Sequence, residues 1–110
     1  MTKTTTAQEA EVRANQLTIT INTLCDLIEG TTGTDRVNKT KATNFLKTAR
    51  EDAEKLMGQD GVNPILIIQN ISDKLINSLV PFLGQNTALQ IGRRFLQAMQ
   101  ASQGLEFARD

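Results

Sequence analysis

Residues 10–28 read AEVRANQLTITINTLCDLI, and the spacing of the apolar residues in this stretch decides the fold. These residues recur at alternating steps of four and three, which places them on one side of an α-helix. They are Ala10, Ala14, Leu17, Ile21, Leu24 and Ile28. Gly30 follows, and glycine commonly ends a helix. The stretch therefore predicts a helix that starts at Ala7 and buries one face.

A β-strand is the competing interpretation of part of this stretch. Residues 17–21 read LTITI and alternate apolar residues with threonine, as a half-buried strand does. Together with a second short strand at residues 65–68, they would give an α+β fold. We favour the helix, because the apolar stripe extends beyond residues 17–21 in both directions. Ile19 fits the helix least.

A second helix is expected to run to Met57 and to end at Gly58, with either Thr34 or Thr40 as its N-cap. Charged residues occupy one side of this segment and apolar residues the other. The predicted apolar face consists of Ala42, Phe45, Leu46, Ala49, Ala53 and Leu56. This pattern is typical of an amphipathic helix at the edge of a core.

The start of a third helix is marked by Asn63 as N-cap and Pro64 at the first helical position. Residues 65–68 are consecutive aliphatic residues, so apolar side chains cover more than one face of its first turns. Such a helix is expected either to be central or to present one face to a second chain. Pro81 should end or kink it.

A fourth helix is expected from an Asn86 cap to Gly104. Within it, Gly92 together with Ala88 would permit a close helix crossing, either within the chain or between chains. The sequence therefore predicts an all-α protein, a small antiparallel bundle of about four helices. We expect a flexible N-terminal tail at residues 1–6, one helical domain at residues 7–104 and a C-terminal tail at residues 105–110.

Composition narrows the classes of function. The 110 residues suit one domain, and 12 basic against 12 acidic residues leave no net charge to attract nucleic acid or membranes. The single cysteine, Cys25, excludes an internal disulfide, and the polar start resembles no secretory signal. We therefore expect a cytoplasmic protein. Residues 65–83 are too polar to span a membrane.

The chain contains no histidine, the commonest general base and metal ligand in proteins. Catalytic triads and Cys-His dyads are excluded, and phosphate-binding glycine motifs are absent from the sequence. We therefore expect a protein that is not an enzyme, with no cofactor, no metal and no small-molecule substrate.

The basic residues of the chain are unevenly distributed. Residues 36–50 contain several of them and no acidic residue, and residues 51–54 then contain three acids. The candidate contacts for an anion or nucleic acid are Arg36, Lys39, Lys41, Lys47 and Arg50, with Arg93 and Arg94 as a second, smaller group. The alternative is an ordinary solvated surface, which we favour because aromatic stacking platforms are lacking and Phe45 is expected in the core.

The function that the sequence favours is a protein–protein interaction or structural adaptor module that self-associates through apolar helix faces. The candidate interface residues are Ile67 and Ile76 on the third helix and Leu105 and Phe107 in the C-terminal tail. A small nucleic-acid-associated protein that uses residues 36–50 is the alternative.

Overall fold

The computed structural model describes residues 2–103, with side chains for Gln8 and residues 11–103. This part of the chain forms four helices and no strand. They are α1 (Thr2–Glu29), α2 (Arg36–Met57), α3 (Pro64–Leu83) and α4 (Gln85–Ser102). The prediction of an all-α bundle is confirmed, and the α+β alternative is wrong, because residues 17–21 and 65–68 are both helical.

The helices pack in a ring in which α2 contacts α1 and α3, and α4 contacts α3 and α1. Short connections join consecutive neighbours, which is the arrangement of an antiparallel bundle. The core is aliphatic apart from Phe95 and Met99. It comprises Leu17, Ile21, Leu24, Ile28, Ala42, Leu46, Ala49, Ala53, Ile68, Ile71, Leu75, Leu79, Ala88, Ile91, Phe95 and Met99.

Helix α1 is longer than predicted. It begins at Thr2 rather than at Ala7, because each residue added to an existing helix gains a hydrogen bond without a new nucleation cost. At 1.5 Å per residue its 28 residues span about 42 Å, whereas the 18 residues of α4 span about 27 Å. Ser102, the last residue of α4, lies beside Arg13 and Leu17. The first turns of α1 therefore extend beyond the end of α4.

One residue of the apolar stripe predicted for α1 is not buried. The four stripe residues from Leu17 to Ile28 are buried as expected, but Ala14 is exposed because it lies where α4 ends. The side chain of Ala10 is outside the described part. Ile19, which fitted the stripe least, is 62% exposed. The C-terminal tail predicted at residues 105–110 also lies outside the described residues.

The caps of α2 and α3 are both side-chain caps. Asp35, and not Thr34 or Thr40, caps α2, and its carboxylate accepts a hydrogen bond from the Asn38 N–H at 2.8 Å. Thr34 instead donates to the Phe82 carbonyl oxygen at 3.4 Å. The predicted cap of α3 is confirmed, since the Asn63 side chain accepts from the Ile65 N–H at 3.0 Å.

Helices α3 and α4 are joined by Gly84 alone, whose φ of 86° is readily adopted only by glycine. Pro81 does not end α3, which continues to Leu83. Proline is tolerated there because it lies in the last turn of α3, where it removes only the hydrogen bond to the Asn77 carbonyl oxygen. The predicted Asn86 cap is wrong, because the immediate reversal at Gly84 starts α4 at Gln85.

Within residues 2–103, no helix combines the length and the apolar character that crossing a bilayer requires.

Candidate functional site

Two of the predicted basic contact residues bind the end of α1. Arg36 forms a two-pronged ion pair with Glu29, at 2.7 and 2.8 Å, and Lys39 Nζ donates to the Glu29 carbonyl oxygen at 2.6 Å. The hydrogen bond from Arg36 lowers the pKa of Glu29. Cations at a helix C-terminus also interact favourably with the helix dipole. These two side chains therefore join α2 to the last turn of α1.

The other basic residues of α2 point in different directions. Arg50 donates to Thr18 Oγ1 on α1 at 3.2 Å and to Glu54 at 3.4 Å. Lys41 Nζ lies 6.0 Å from the ring centroid of Phe82 on α3, and Lys47 is exposed. The structure thus does not bring residues 36–50 together as one basic surface. Arg36, Lys39 and Arg50 contact α1, while Lys41 faces α3.

Helices α3 and α4 cross closely, and Gly92 makes this possible. A Cβ added at Gly92 would overlap Cγ1 of Ile76 and would lie 2.5 Å from its Cδ1. The close crossing predicted from Gly92 therefore occurs within the chain. The candidate interface residues Ile67 and Ile76 are partly buried against the core, and Leu105 and Phe107 lie outside the described residues.

A groove of about 380 Å³ runs along the outside of this crossing. Its apolar lining includes Ile76, Leu89 and Leu96, and its polar lining includes Asp73 and Arg93, with Arg93 exposed. Arg94, the other member of the basic pair on α4, is exposed as well and does not line this groove. The two arginines therefore do not act on one site within the chain.

Ser72 lines the same groove and is only 3% exposed, and its hydroxyl has no hydrogen-bond partner among the described residues. A buried hydroxyl without a partner costs free energy that an alanine avoids. We expect Ser72→Ala to raise the free energy of unfolding by about 1 kcal/mol, measured by urea denaturation. Ser102→Ala is the control, because Ser102 donates to the Met99 carbonyl oxygen at 2.8 Å. Equal effects of the two changes would contradict this account.

The face shared by α2 and α3 carries an aromatic surface that the apolar periodicity of α2 does not predict. Phe45, which was predicted in the core, is 38% exposed. Leu46 occupies the buried position instead. Phe45, the residue before it, is rotated by about 100° around the helix axis and therefore faces away from the core. Phe45 packs against Phe82, with ring centroids 5.8 Å apart and the rings inclined at 31°. The pair is therefore half-solvated at the edge of the bundle.

Phe45 belongs to a line of exposed side chains along α2, which we call the α2 stripe: Lys41, Phe45, Thr48 and Asp52. Steps of four, three and four residues place them on one side of the helix. Beside the stripe is a hollow of about 80 Å³, lined by Phe45, Thr48, Ala49 and Asp52 of α2 and by Ile71, Lys74, Leu75 and Ser78 of α3. The surface thus combines an aromatic side chain, a hollow and three charged residues, Lys41 and Asp52 on α2 and Lys74 on α3.

Cys25 packs partly buried against the core. Burial raises the pKa of its thiol, and the positive charge of Lys47 only partly opposes this effect. A raised pKa reduces the fraction of reactive thiolate. Cys25 therefore acts as a packing residue.

Among the described residues, no three Cys, Asp or Glu side chains gather as a metal site would require. Fold and surface together define the class of protein: a small four-helix bundle with an aromatic patch on one face. No family model, no curated protein and no solved structure matches the chain.

Proposed function

We propose that this protein is a non-catalytic interaction module that self-associates through the face shared by α2 and α3. The observation that carries this proposal is the Phe45–Phe82 pair, two aromatic rings in contact at the surface rather than in the core. Aromatic side chains supply much of the energy of protein interfaces, because they bury a large apolar area with few rotatable bonds.

A further apolar side chain extends this surface. Val37, which is 61% exposed, lies one helical turn before Lys41 on α2. The lack of net charge removes the long-range repulsion that two copies of a charged chain would experience. Both features favour association with another copy.

The nucleic-acid alternative has weaker support. Phosphate contacts require cationic side chains directed outwards as a group, and Arg36, Lys39 and Arg50 are hydrogen-bonded to α1. The proposed location is the cytoplasm, in keeping with a reduced thiol at the single cysteine.

Molecular mass in solution tests self-association. We expect the mass to rise from monomer to dimer between about 1 µM and 1 mM, measured by light scattering or sedimentation. Phe45→Glu should weaken the dimer at least about 30-fold, because a charge replaces an aromatic anchor. Circular dichroism should show unchanged helix content, since Phe45 lies at the edge of the core.

Ile19→Glu is the matched control. Ile19 is 62% exposed on α1, away from the α2–α3 face, so this variant should dimerise like the parent chain. If the parent chain remained monomeric over the whole concentration range, the proposal would be refuted. Equal weakening by Ile19→Glu and Phe45→Glu would also refute it, because the aromatic face would then have no special role.

A further inference from the structure

We infer that two copies associate through their α2 stripes, with the two α2 helices antiparallel and related by a two-fold axis that passes between Phe45 and Thr48. This inference rests on the proposed self-association and specifies its geometry. It follows from the order of side chains along the stripe, which is basic, aromatic, small and polar, then acidic.

The charges of the stripe are complementary to those of a second copy in only one direction. Lys41 and Asp52 are separated by 11 positions, or about 16 Å along the helix, and their midpoint lies between Phe45 and Thr48. An antiparallel pair places Lys41 of each copy opposite Asp52 of the other. A parallel pair in register places like charges together. A two-fold interface contains each contact twice, so the antiparallel dimer contains two Lys41–Asp52 pairs.

Among the residues whose side chains the structure describes, neither Lys41 nor Asp52 forms an ion pair. Within residues 11–103 the ion pairs are Arg36–Glu29 and Arg50–Glu54. Lys41 instead lies beside the Phe82 ring, and Asp52 is exposed at the rim of the hollow. Both side chains can therefore turn to a second copy without breaking an ion pair of their own.

The apolar part of the stripe fits the same arrangement. The two-fold axis places Phe45 of each copy opposite Thr48 of the other, where the hollow opens between α2 and α3. The hollow has a volume of about 80 Å³, and Ala49, Ile71 and Leu75 give it an apolar lining that an aromatic ring can contact. Each aromatic ring thus enters the hollow of the other copy, while Lys41 and Asp52 flank it.

Charge reversal tests this geometry on the full-length chain. Lys41→Glu alone and Asp52→Lys alone should each weaken the dimer about tenfold, because each creates two like-charge contacts. The double variant K41E/D52K should restore the dissociation constant to within about threefold of the parent value, because both pairs are re-formed with exchanged signs. Sedimentation at two salt concentrations gives the dissociation constants. The effects of the single variants should shrink at high salt.

Lys47→Glu is the matched control, because it makes the same change of charge on an exposed face of α2 about 130° from the stripe. It should leave the dissociation constant unchanged. A double variant as weak as the singles would overturn the antiparallel geometry. Single variants without effect would also overturn it. If in that case Phe45→Glu still dissociated the dimer, self-association itself would stand, whereas a monomeric parent chain would refute both proposals.

Discussion

Phe95→Ala should lower the free energy of unfolding by about 3–5 kcal/mol, the largest effect that we expect from any single substitution in this chain. Phe95 is fully buried in α4 and is one of the largest side chains of the core. Its removal loses the transfer free energy of the ring and leaves a cavity that the surrounding aliphatic residues fill only in part. Urea denaturation followed by circular dichroism measures the loss.

Phe45→Ala is the matched control for this prediction, because the same side chain is removed from a half-exposed position. We expect a loss of only about 1 kcal/mol, mainly from the contact with Phe82. The measurement should be made below the dimer dissociation constant, so that association does not contribute to stability. Similar losses for Phe45→Ala and Phe95→Ala would show that the two rings are equally buried and would contradict the described packing.

Gly92→Ala should destabilise the protein by about 1–2 kcal/mol, although alanine is the better helix former by about 1 kcal/mol. The added methyl would overlap Cγ1 of Ile76, and a β-branched residue in a helix strongly prefers one χ1 rotamer. The crossing must therefore widen or Ile76 must leave its preferred rotamer. Thermal or urea unfolding of the parent chain and of the Gly92→Ala variant gives the difference in the free energy of unfolding.

A double-mutant cycle distinguishes this overlap from other effects of the substitution. In an Ile76→Ala background the overlapping atoms are gone, so Gly92→Ala should there be neutral or stabilising. The difference between the two backgrounds is the coupling free energy, which we expect to be at least about 1 kcal/mol. If Gly92→Ala were stabilising in the parent chain too, the helices would not cross as closely as described.

The positions of Phe95, Phe45 and Gly92 all depend on how closely the helices pack. The core closes with small residues where helices approach, such as Ala42, Ala49 and Ala53 on α2 and Gly92 on α4. The Phe45 ring lies outside this closely packed region, at the edge between α2 and α3 beside Phe82 and the hollow. Its exposed part is therefore available for association.

The local sequence was sufficient to predict the helices and much of the core. The stripe from Leu17 to Ile28, the Asn63 cap with Pro64, and the stop of α2 at Gly58 were all predicted correctly. Each depends on interactions within a few residues along the chain: the helical repeat, a side chain that satisfies a free N–H group, or the conformation of a single residue. The all-α class follows from these local features.

Other features depend on residues that are distant along the chain. Phe45 is exposed rather than buried, Ala14 lies where α4 ends, and Arg36 and Lys39 bind the last turn of α1. The periodicity of one helix shows which side chains share a face, but not how far its neighbours extend or how closely they approach. Those quantities arise from packing all four helices together, and they determine which apolar and charged side chains remain available to a second copy.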